Sequence, residues 1–191
     1  MALLIAGLVI FLAIHSVQIA GFKEPMAARL GVNGYKVVHS IVSLVGLVLI
    51  VIGYGQARAA GAPQIYDPPL WMRHVTLLLM MIASVLFVAS FIPSRIKAYA
   101  KHPMLASLKV WALAHLLANG DLASLLLFGS LLAWAVVDRI SLKRRPVDVI
   151  AHEKAIGAAP ASDVLVMVLG ATLYVAIAFW LHPWLIGVEV M

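Results

Sequence analysis

Five of the seven histidines, His15, His39, His74, His102 and His115, fall in or at the ends of the first four apolar blocks of this 191-residue chain. An imidazole inside hydrocarbon cannot be left unsatisfied, so each is a candidate for a hydrogen-bonded structural residue or for a ligand. Two histidines facing each other across a helical bundle are the usual way to hold a b-type haem, with one neutral imidazole nitrogen on each axial face. A single histidine is better explained by a bond to a neighbouring helix. The set of five is what points to ligation, since the fifth block has no histidine and the sixth only a terminal one, His182.

Spacing says which residues accompany them. His39, Ser43, Gly46, Ile50, Gly53 and Ala57 recur every three or four residues and draw one stripe along a helix. Gly46, Gly53 and Ala57 read as a packing seam of small residues, with His39 at its cytoplasmic end as either a hydrogen-bonded residue or a ligand. Trp111, His115 and Asn119 are four apart and share a face above Leu108 and Met104. Lys109 points about 120° away from His115, at about 100° per residue, and can snorkel to the headgroups as an anchor. Asn119-Gly120-Asp121 reads as a tight outer turn that ends one span and caps the next.

The elements that must position these residues follow from composition. The chain is 64% hydrophobic and 12% charged, with a mean hydropathy of +1.04. Its apolar residues form six blocks, near 2–20, 36–57, 70–92, 104–118, 122–140 and 164–186. Most reach the ~20 residues that cross about 30 Å of hydrocarbon. The expected fold is therefore an all-α polytopic membrane bundle of about six transmembrane helices. The first block has no positive residue before its apolar run and no small-x-small cleavage site before Lys23, so it is expected to remain as a span.

Eleven of the fourteen basic residues lie in three connections, 21–36, 93–102 and 139–162. The positive-inside rule places those in the cytoplasm and both termini outside. Scattered over three juxtamembrane loops, this charge is lipid-facing anchorage and does not indicate nucleic acid. Pro68 and Pro69 set the entry to the third span, Asp163 is expected to cap the sixth, and Asp138 to pair with Arg139 at an interface. The cytoplasmic loop after the Lys143-Arg144-Arg145 run places His152 and Glu153 in solvent.

Other chemistries lack their residues. The absence of cysteine excludes disulfides, Cys-ligated zinc, iron–sulfur clusters and c-type haem. No HExxH, Gly-x-Ser-x-Gly, Walker loop or paired intramembrane carboxylates occur. The Lys-His-Pro at 101–103 is similar to a His-Pro of isoprenylcysteine-type membrane methyltransferases, but their downstream acidic motif is missing. Pro103 then simply starts the fourth helix, and His102 sits in the headgroups with Lys101 and Arg95, within reach of a haem propionate or of residues around the ligands.

IHS at 14–16, SLVGLVLIVIGYGQAR at 43–58, YDPPLW at 66–71, KHPMLASLKVWALAHLLANGD at 101–121 and LLFGSLLAWAVVDRISLKRR at 126–145 carry a family likeness. On these motifs the chain resembles the NnrU family of bacterial membrane proteins, from its first span to about Arg145. The resemblance implies an NnrU-like domain over 1–145 with five spans, a cytoplasmic loop at 146–162 and a sixth helix at 163–191, in the bacterial inner membrane. It implies a redox- or nitric-oxide-linked role in denitrification. A plant and cyanobacterial relative, 15-cis-ζ-carotene isomerase, is similar in the first-span HS and the fourth-span HP and AH. That likeness implies a b-type haem on His15 and His115, one of them displaceable, and a cis–trans isomerisation of a polyene or similar lipophilic substrate. A haem-free partner of a respiratory complex is the third class. By depth, about 9 Å for His15 and about 18 Å for His115 at ~1.5 Å per residue, the natural pairs are instead His15 with His39 and His74 with His115.

Overall fold

The structure, a computed structural model, describes residues 1–144 and 155–186. The described residues form α1 (Ala2–Ser16), α2 (Lys23–Ala59), α3 (Met72–Ala89), α4 (Arg95–Ala100), α5 (Pro103–Ala118), α6 (Leu122–Leu142), α7 (Pro160–Ala176), a π-helical turn (Ile177–Leu181) and α8 (His182–Ile186). Among the described residues no strand forms, only an isolated bridge between Gln64 and Asp121. Four helical stretches, α2, α3, α6 and Pro160–Trp184, are long and apolar enough to cross a membrane, while α1 and α5 are shorter apolar helices. This is an all-α membrane protein. Arg145, His152 and Glu153 lie outside the described residues.

Several boundaries differ from the apolar blocks. The first helix stops at Ser16, four residues early, because Gly21 at φ +76° reverses the chain. The amides of Ala20 and Phe22 close that turn on the carbonyls of Ser16 and Val17. His15 is consequently in the last turn of α1 rather than well inside it. The 21–36 connection is largely helical, and α2 is two helices joined at Gly31, whose φ of 74° and ψ of 157° are open only to a residue without Cβ. The 93–102 connection contains α4, and Pro103 does begin α5.

Packing divides the chain into two compact units. The first holds Met1–Asp67 and Asn119–Lys143, so α1, α2 and α6. Here the expected seam is real: Gly46, Ile50, Gly53 and Ala57 are the buried residues of α2. They meet α1 running the other way. A Cβ on Gly46 would stand 2.9 Å from the Phe11 amide, one on Gly7 2.6 Å from the Ile50 amide, and one on Gly53 inside the Leu4 backbone. Between lipid-bathed helices apolar burial drives little, so van der Waals contact of closely approaching backbones holds the pair.

The same unit ties the loop after α2 to the Asn-Gly-Asp turn. Gly120 carbonyl accepts the amides of Ile65 and Tyr66 at 2.8 and 3.3 Å, Pro63 carbonyl takes the Leu122 amide at 2.9 Å, and Tyr66 hydroxyl donates to Asn119 carbonyl at 3.0 Å. A side chain at 120 would collide with the Tyr66 carbonyl. Asp121 is buried and caps α6 as expected, accepting the Ser124 amide at 3.0 Å and the Ser124 hydroxyl at 2.6 Å. Tyr54 hydroxyl joins Ser124 hydroxyl at 3.0 Å, which carries the network back to α2.

The second unit holds Pro68–Ala118 and the chain from Arg144 onward. Ser107 hydroxyl donates to Ala83 carbonyl at 2.8 Å and Thr76 hydroxyl to Ala114 carbonyl at 3.1 Å, stitching α3 to α5 in both directions. Gly170 lets α7 lie on Val85 of α3. Asp163 does not cap the sixth span. That helix starts earlier, at Pro160 with Ala159 as its cap residue, and Asp163 instead accepts the Arg95 and Ile96 amides at 2.8 and 3.3 Å. It thereby caps α4, with the Arg95 guanidinium 4.0 Å away.

Two outcomes follow. Gly53→Ala is expected to lower the thermal midpoint in detergent, at a cost of about 1–3 kcal/mol for overpacking. Gly55→Ala, two residues on and facing open space, should hold or raise it, since Ala is favoured over Gly in a helix by about 1 kcal/mol. Circular dichroism melts compare them. The second concerns Tyr66, whose hydroxyl is pushed above its ordinary value of 10.0 by burial and then by the Asp121 carboxylate. The folded state therefore favours the protonated phenol, so its stabilisation is complete below about pH 10 and is lost as pH rises through the raised value. Melts taken between about pH 8 and 11 should show a smaller alkaline loss in Tyr66→Phe than in the native protein.

Candidate functional site

The seam fixes what lies at its end. Continuing the α1–α2 pairing past Phe11 and Gly46 brings His15 against His39, with ring centroids 5.1 Å apart and planes at 66°. Phe11 stacks on His15 at 4.1 Å, and Trp134 of α6 meets it edge-on at 5.9 Å and 88°. Trp134 Nε1–H donates to Ser16 hydroxyl at 3.1 Å. Tyr35 lies 5.8 Å from His39, whose Nδ1 shares a hydrogen bond with Ser43 hydroxyl at 3.4 Å. Three helices thus converge on one imidazole pair, both rings half-buried.

His15 Nδ1 lies 2.7 Å from the Phe11 carbonyl. A carbonyl only accepts, so Nδ1 carries the proton and the lone pair of the neutral ring is on Nε2. In the second unit His115 repeats the device: its Nδ1–H donates to Trp111 carbonyl at 2.9 Å, and the Trp111 ring lies 4.9 Å from its own. An imidazole whose other N–H is held by a carbonyl is the form in which metal-ligating histidines are normally presented. His15 and His115 thus share one tautomer, each set by its own helix.

The other expected residues are placed differently. His15 and His39 lie side by side, with their ring centroids 5.1 Å apart. His74 is exposed in the first turn of α3, and His102 is half-buried at the junction of α4 and α5. Asn119 does not share a helical face with Trp111 and His115, because α5 ends at Ala118; its carbonyl serves the Tyr66 hydroxyl instead.

Comparison with known families matches residues 3–190 to the one described as NnrU protein. The chain belongs to the NnrU family. No curated protein and no solved structure matches it. In this NnrU protein, reading the sequence for polar residues missed Phe11, Tyr35 and Trp134. The first two had a visible signal, since Phe11, Tyr35 and Trp111 each precede a histidine by four residues. Trp134, at 118 residues from Ser16, had none.

Proposed function

We propose that this NnrU protein holds a b-type haem on helix-anchored imidazoles and serves a redox- or nitric-oxide-linked role in denitrification, from the bacterial inner membrane with both termini outside. The observation that supports the reading most is the shared anchoring of His15 and His115, each giving its Nδ1 proton to the carbonyl four residues back. That bond holds the proton on Nδ1 without recruiting another helix and leaves Nε2 as the atom that would meet a metal. A bound haem held by His15 and His115 would supply one-electron chemistry and, on displacement of one of the two histidines, a place for a small gas. Nitric oxide is apolar and collects in hydrocarbon, which suits a site borne on membrane helices.

The test is an absorption spectrum of detergent-purified protein with haem supplied during expression. His15→Ala and His115→Ala are each expected to lose most of the Soret absorbance, and His74→Ala to keep it. Full haem in every single variant overturns the ligand assignment. A wild-type protein with no Soret band leaves the role of a haem-free partner of a respiratory complex. Nitric oxide added to the reduced protein should shift the band; a shift produced by a cis-polyene alone replaces the gas-linked role with isomerisation.

A further inference from the structure

The rotation of a histidine ring about its last torsion is broad and unstaggered, so a backbone rotamer does not set where Nε2 points. Neighbours must do it. For His15 one neighbour is local, the Phe11 carbonyl with the stacked Phe11 ring. The other comes from a different helix, and its own orientation is held from α1: the Trp134 indole stands perpendicular to the His15 ring while its N–H is bound to Ser16, the residue next to His15.

We infer that Ser16 and Trp134 are positioning residues for His15, acting as one device in which α1 supplies both the imidazole and the acceptor that aims the indole against it. An indole N–H only donates, and away from water it needs an acceptor. Ser16 is that acceptor, half-buried like Trp134. Without it the indole loses the bond that fixes its plane, and the imidazole loses a wall. A ligand must be held by its supporting residues to be effective, since loose rings lose metal affinity. The inference rests on His15 being a ligand, but the holding of the ring is measurable whether or not haem is bound.

The experiment is carbethoxylation of histidines in the detergent-solubilised full chain, read residue by residue by mass spectrometry, on protein prepared without added haem. Ser16→Ala and Trp134→Phe are expected to raise the labelling rate of His15 by about three- to tenfold, the effect of losing one ordinary hydrogen bond on an opening equilibrium. The double variant should do no more than either single one, as a shared interaction requires. Ser16→Thr keeps the hydroxyl and should label as wild type. Exposed His74 should be unchanged throughout. In haem-supplied preparations Ser16→Ala and Trp134→Phe should weaken or shift the Soret band. Unchanged His15 labelling in both variants overturns the inference. So does an equal rise at His39 and His115, which would mean general loosening, or Ser16→Thr behaving as Ser16→Ala. A wild-type chain that never shows a Soret band refutes the haem reading alone, and the labelling still decides the positioning role.

Discussion

Close approach of the α1 and α2 backbones is the constraint on which the first unit depends. Gly46 and Gly53 on α2 and Gly7 on α1 leave no room for a methyl group, and they alternate sides along the interface. In water such a pair would be held by apolar burial and could slip by a residue at modest cost. In hydrocarbon that force is nearly absent, and the energy lies in dispersion between surfaces that must fit. A slip would set Ile50 or Phe11 where a glycine stands. The register is thereby locked, and the locked register decides that His15 arrives at the level of His39.

The loop after α2 is governed by the need to pair backbone groups that no helix satisfies. Residues 63–66 have no helix to use, so their amides and carbonyls are paired with those of residues 119–122. The bare backbone of Gly120 lets the loop lie there, and Asp121 completes the cap of α6. Tyr54 links this closure to the same helix that carries His39. One helix, α2, therefore joins the loop closure at one end to the imidazole pair towards the other.

Much of this was legible because periodicity survives in a greasy chain when its rare small and polar residues fall on one face. The stripe from His39 to Ala57 shows the α2 interface, and Asn-Gly-Asp shows the turn that caps α6. Helix ends were less legible. Apolar content continues through Val17–Ala20, but backbone reversal at Gly21 ends the helix first. The helical break at Gly31 and the transfer of Asp163 from its own helix to α4 depend on tertiary partners that a local reading cannot see. Trp134 belongs to that class too.

The aromatic residue four before His15, His39 and His115 alters how a buried histidine in this chain should be weighed. The ordinary explanation for such a residue is a bond to a neighbouring helix. At His15 and His115 the same helix already supplies it, because a carbonyl has two lone pairs and can take Nδ1–H as well as a backbone amide. The ring beside each imidazole covers it with apolar surface. His39 differs, since its Nδ1 turns to Ser43 instead of the Tyr35 carbonyl. The same tautomer is thereby set on two separate helices, each time by the carbonyl four residues back.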